Sequence, residues 1–125
     1  MVIWLSASAI ILAALQASIN APTNAFRGCL REATAKASSE QVGPDAIEAY
    51  LRNACTVQAQ SLRNALIAFR LKNGMGKKAA SEDAAMTVDD YVATPVENFK
   101  FMSTLNASRA SAAASPPPAP ASPPK

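Results

Sequence analysis

An uncharged, apolar run from Met1 to Ala17 opens the chain, and the residues beyond Ala25 include two cysteines and no histidine. Val2 to Leu15 has the length of a signal-peptide h-region, about 7–15 residues. A membrane-spanning helix needs roughly 20 apolar residues, and Gln16, Ser18 and Asn20 interrupt the run too soon for one. The expected organisation is a secretory signal over residues 1–21, cleaved between residues 17 and 25, with an uncleaved anchor and a buried core helix as the lesser alternatives. Ala17, Ala21 and Ala25 each offer a small residue before the scissile bond, although Pro22 beside Ala21 disfavours that site. No Lys or Arg precedes the run, so only the terminal amine supplies the positive charge such signals carry. A lipoprotein signal is excluded, because Phe26-Arg27-Gly28-Cys29 places an aromatic ring and a charge where a lipobox needs Leu and a small residue.

Residues 22–105 form the expected domain, a core of about 80 residues that is marginal by itself and gains from a covalent staple. Helical periodicity dominates. Thr23-Asn24 suits an N-cap, and Phe26, Cys29, Leu30, Ala33 and Ala37 follow at the spacing of one helix face, with Glu32–Lys36 as an outer pair. Gln41-Val42-Gly43-Pro44 ends this helix. A second helix starts at Pro44-Asp45 and carries Ile47, Leu51, Cys55, Leu62, Leu66 and Phe69 down one face without interruption until Asn73-Gly74. A third begins at Lys77–Ser81 with Ala84, Val88, Tyr91 and Val92 inward. Thr94-Pro95-Val96-Glu97 is a capping box that favours a fresh start, although proline equally accommodates one kinked helix, and Val96, Phe99, Met102 and Leu105 follow. The expected fold is all-α: a small bundle of three or four helices built on an antiparallel helical hairpin. Residues 106–125, rich in Ser, Ala and Pro, read as a disordered tail leaning to polyproline II.

Cys29 and Cys55 project inward from consecutive helices at similar distances from the turn, so the hairpin brings them level and predicts a disulfide. The loop would contribute roughly 3–3.5 kcal/mol on the chain-entropy account. Arg52, Arg63 and Arg70 share one stripe, with Glu48 placed to pair with Arg52. They are either a binding face for an acidic partner or a solvated face neutralised by the acidic third segment. Glu82, Asp83, Asp89 and Asp90 lack a calcium-loop pattern, and carboxylates seven residues apart on a helix lie about 10 Å apart. No metal or cofactor is expected.

Without histidine the Ser/His and Cys/His nucleophile systems are excluded, and Gly74-Met75-Gly76-Lys77-Lys78 lacks the P-loop spacing. Asp89, Asp90 and Glu97 are the only residues on which a carboxylate enzyme could be built. Phe26 to Lys72 carries seven basic residues against four acidic ones and Lys77 to Leu105 three against five, which reads as complementary halves of one domain rather than the heavier positive clustering of a nucleic-acid footprint. Asn106-Ala107-Ser108 matches a glycosylation sequon in the tail. The alanine-rich, proline-tailed style resembles small exported proteins of Gram-negative bacteria, which implies a periplasmic location. The expected function is therefore non-catalytic: an interaction or envelope-accessory protein binding a protein or envelope component, with no membrane span after signal removal. The alternative is a stress chaperone that binds clients through apolar surface.

Overall fold

The computed structural model describes the backbone of residues 7–114 and the side chains of residues 19–114. Four helices follow one another: α1 (Ala7–Ser39), α2 (Ile47–Ala54), α3 (Thr56–Lys72) and α4 (Lys77–Ala114). No strand occurs among the described residues, and the chain is all-α as its periodicity predicts.

The inward stripes meet in one core. Phe26, Leu30, Ala33 and Ala37 enter from α1; Ile47 and Leu51 from α2, with Cys55 just beyond it; Leu62 and Leu66 from α3; and Val88, Val92, Val96 and Phe99 from α4. Among the described residues every buried side chain is apolar. Cys29 and Cys55 are bonded, with their Cα atoms 5.9 Å apart. The staple closes a separation of 26 residues, and Cys55 itself is wholly buried.

Four local points are corrected or decided. First, α1 runs through Thr23-Asn24 rather than starting there, and the Thr23 hydroxyl donates to the Ile19 carbonyl at 2.8 Å instead of capping. The Ala- and Leu-rich residues before it favour helix strongly enough to continue the ladder, with Pro22 inside the element. On the outer side, Lys36 pairs with Glu40 at 3.8 Å, not with Glu32.

Second, the helix expected from Pro44 to Phe69 begins at Ile47 and breaks at Cys55, which has φ −114° and ψ 24°. No Gly or Pro lies between Ile47 and Lys72. The break follows instead from Thr56, whose hydroxyl donates to the carbonyls of Arg52 at 2.9 Å and Asn53 at 3.2 Å. Such back-bonding bends helices.

Third, of the two arrangements open at Thr94-Pro95 the single helix holds: Pro95 sits inside a continuous α4. Val92 on one side and Val96 and Phe99 on the other are buried in the same core, so packing holds the axis through the missing N–H. Met102, expected inward, is 49% exposed.

Fourth, residues 106–114 of the expected tail continue α4 as an exposed helical extension that includes the sequon. Residues 115–125 lie outside the described residues, as do residues 1–6 of the expected signal.

A candidate binding seam between α1 and α4

The arginine stripe faces α4. Arg52 donates to Glu48 Oε1 from Nε at 3.2 Å and Nη2 at 3.0 Å, and to Asp89 Oδ1 from Nη1 at 2.9 Å. Arg70 Nε donates to Asp83 Oδ2 at 2.6 Å. Arg63 Nη2 reaches only a hydroxyl, Ser81 Oγ, at 3.3 Å. The hydrogen bond to Asp89 raises the Arg52 pKa above its ordinary value, while partial burial opposes that rise. A cavity of about 330 Å³ lies beside this stripe, walled by Arg52, Arg63, Asp89 and the buried Phe26. Two of the three guanidiniums are thus engaged with carboxylates of α4, while Arg63 meets only the Ser81 hydroxyl.

The α1–α4 seam is different. It opens a groove of about 900 Å³. Arg27, Leu30, Arg31, Thr34, Ala35 and Ser38 line it from α1, and Thr87, Asp90, Tyr91, Thr94, Pro95 and Asn98 from α4. Phe26 meets the Tyr91 ring edge-on, with centroids 6.3 Å apart and planes at 81°, which fixes one side of the floor. Thr34 and Thr87 donate their hydroxyl protons to the Leu30 and Asp83 backbone carbonyls at 2.6 Å and 3.0 Å. Among the described residues, neither Arg27 nor Arg31 has a carboxylate within ion-pair distance. The seam therefore combines an apolar floor with two uncommitted guanidiniums on one wall and the Asp90 carboxylate on the other.

Sequence reasoning singled out the stripe and passed over Arg27 and Arg31. A signal existed. The two are spaced i,i+4, a like-charge arrangement that destabilises a helix by a few tenths of a kcal/mol. Neither has Asp or Glu three or four residues away to relieve it. Asp89 and Asp90, candidates for a carboxylate pair, are divided between the two recesses, and Glu97 lines neither. Among the described residues no group of three or more Asp, Glu or Cys side chains converges to hold a metal ion. No helix of the described residues is long and apolar enough to cross a membrane. Compared with known proteins, the chain matches no family model, no curated protein and no solved structure.

Proposed function

We propose that this chain is a small exported helical protein that acts by binding rather than catalysis, an interaction or envelope-accessory protein of a Gram-negative periplasm. Its bundle is built on an antiparallel hairpin, and its binding face is the α1–α4 seam. The observation that carries this reading is the pair of guanidiniums, Arg27 and Arg31, which make no ion pair among the described residues and line the wall of a 900 Å³ groove. Charges on a stable surface are usually paired or dispersed; an unrelieved pair over apolar floor suits an acidic segment of a partner protein.

Export is supported by two features. A cystine persists in oxidising compartments and is rare in the cytosol of mesophiles. Among the described residues no side chain from residue 19 to residue 25 is buried, although Ile19 packs partly against the core, so a cut between residues 17 and 25 keeps every buried side chain described, from Phe26 onward. The hairpin is supported by the Cys29–Cys55 bond and the Tyr50–Glu40 hydrogen bond of 3.0 Å, in which rising positions on α1 meet falling positions beyond it. The division of Asp89 and Asp90 between recesses supports binding over a carboxylate pair. A chaperone acting through apolar surface draws support from Phe101 and Met102, 63% and 49% exposed beyond the last core residue of α4.

Photo-crosslinking in the producing cell tests the proposal. A crosslinker at Thr34 in the seam should yield a discrete adduct, one at Gln60 beside the arginine stripe should not, and the recovered chain should begin between residues 18 and 26. Adducts from Gln60 alone contradict the seam. A heterogeneous smear from a crosslinker at Phe101, with none from Thr34, favours the chaperone reading.

A further inference from the structure

We infer that the seam seats an acidic amphipathic helix of a partner protein, laid between α1 and α4 as an additional helix of the bundle. This inference rests on the seam being the binding face and names what fills it. The first argument is periodic. The α1 lining falls at 27, 30, 31, 34, 35 and 38, and the α4 lining at 87, 90, 91, 94, 95 and 98. Both follow the steps i, i+3, i+4, i+7, i+8 and i+11, and each α4 position is sixty beyond its α1 counterpart. These are the stripes that a helix presents to another helix.

The second argument is direction. Arg70–Asp83 and Arg52–Asp89 set α4 running opposite to α2 and α3, and Cys29–Cys55 with Glu40–Tyr50 sets α1 opposite to them as well. α1 and α4 therefore run alongside each other in one sense, and their matched stripes form a straight trough. From the first to the last lining position of each helix are eleven rises of 1.5 Å, which make it about 16 Å long, three turns of an incoming helix.

The alternatives fit less well. An extended peptide needs a sheet edge to bond its backbone, and no strand exists among the described residues. A proline-rich segment, such as residues 115–125 of this chain, docks in grooves lined by several aromatic rings; Tyr91 is the one aromatic residue lining the seam. Charge then orients the occupant. Its edge toward α1 carries acidic residues at i,i+4 opposite Arg27 and Arg31, its edge toward Asp90 carries none, and small apolar residues between them meet Leu30, Ala35, Tyr91 and Pro95.

Three synthetic helical peptides of about four turns, sharing a Leu/Ala spine, test this on the isotopically labelled full chain. One carries Glu at i,i+4 along one edge, the second Gln, the third Lys. The Glu peptide should bind saturably, shifting the amides of Thr34, Ser38, Thr94 and Asn98. Its affinity should fall about tenfold with Gln in its place, and by a similar factor in the Arg27→Gln/Arg31→Gln variant, whose circular dichroism should match the parent. Added salt should weaken it, because exposed charges are screened within about 8–10 Å. Equal binding of the Glu and Gln peptides, shifts confined to other surfaces, or indifference to the arginine substitutions would overturn the inference. So would concentration-dependent shifts of the same amides without peptide, which mean a second copy fills the seam, or seam shifts produced by anionic vesicles alone. If these peptides fail while Thr34 still crosslinks a partner, only the acidic helix is wrong; if Thr34 crosslinks nothing, the seam itself is wrong.

Discussion

Gln41 ends α1 in the left-handed region, with φ of 57°. Its N–H bonds the Ser38 carbonyl at 3.3 Å and Val42 N–H bonds Ala37 at 2.9 Å, the paired bonds of a Schellman motif, with Val42 folded against the core that Ala37 enters. Glycine holds that position in α3's stop, where Gly74 has φ of 89° and bonds Leu71 while Met75 bonds Arg70. A side chain at φ > 0 is strained by roughly 1 kcal/mol, so Gln41→Gly should raise stability by about 0.5–1 kcal/mol in denaturant titration. An unchanged midpoint would mean that Gln41 carries no strain. Tyr50 offers a pH readout at the same corner. Burial first, then the hydrogen bond from its hydroxyl to Glu40, lifts its pKa above the ordinary 10.0. Because folding raises this pKa, the associated stability is complete below pH 10 and is lost as pH climbs through the folded-state value. Glu40→Gln should lower the phenolate midpoint part of the way toward 10.0, since burial remains; a midpoint that does not move would show that the bond is not made.

Among the elements, what the periodicity made legible was the inward face of each helix, because burial of apolar area is non-directional and needs only spacing. The Cys29–Cys55 bond was legible for the same reason. Three boundaries were not. The start expected at Thr23-Asn24 lies inside α1, the break at Cys55 depends on where the Thr56 hydroxyl points, and the choice at Thr94-Pro95 depends on core packing on either side of it. Pro95 leaves the Tyr91 carbonyl without its ladder partner, and proline in a helix interior costs up to about 3 kcal/mol. Pro95→Ala should therefore stabilise the fold by about 1–3 kcal/mol. A fall in melting temperature would mean that its ring is needed for packing. Replacing both cysteines, Cys29→Ser with Cys55→Ala, should cost roughly 3 kcal/mol by releasing the unfolded chain. The break should persist in amide exchange across residues 52–58, because Thr56 holds it. An uninterrupted helix in that variant would assign the break to the cystine instead.

Across the whole molecule, α4 outruns its neighbours: residues 106–114 extend it as helix with no buried side chain. Ending the chain at residue 105 should leave the melting temperature within a degree or two, and a larger loss would place the extension against the bundle. The candidate site was only half legible at this scale. Arg52, Arg63 and Arg70 declared themselves by sharing a stripe, but which helix lies across from them depends on the tertiary arrangement, and that arrangement supplies Asp89, Asp83 and Ser81. Arg27 and Arg31 lie beside a groove that exists only once α1 and α4 are side by side. The division of labour between the two arginine sets is the central claim, and comparative denaturant unfolding of two variants tests it most directly. Exposed or half-exposed ion pairs contribute about 0.2–1 kcal/mol each, so Arg52→Gln/Arg63→Gln/Arg70→Gln should lose about 1–2 kcal/mol. Arg27→Gln/Arg31→Gln breaks no ion pair and relieves a like-charge contact, so its stability should stay within about 0.5 kcal/mol of the parent or rise slightly. The reverse ranking, a seam pair that destabilises and a stripe that does not, would contradict the account.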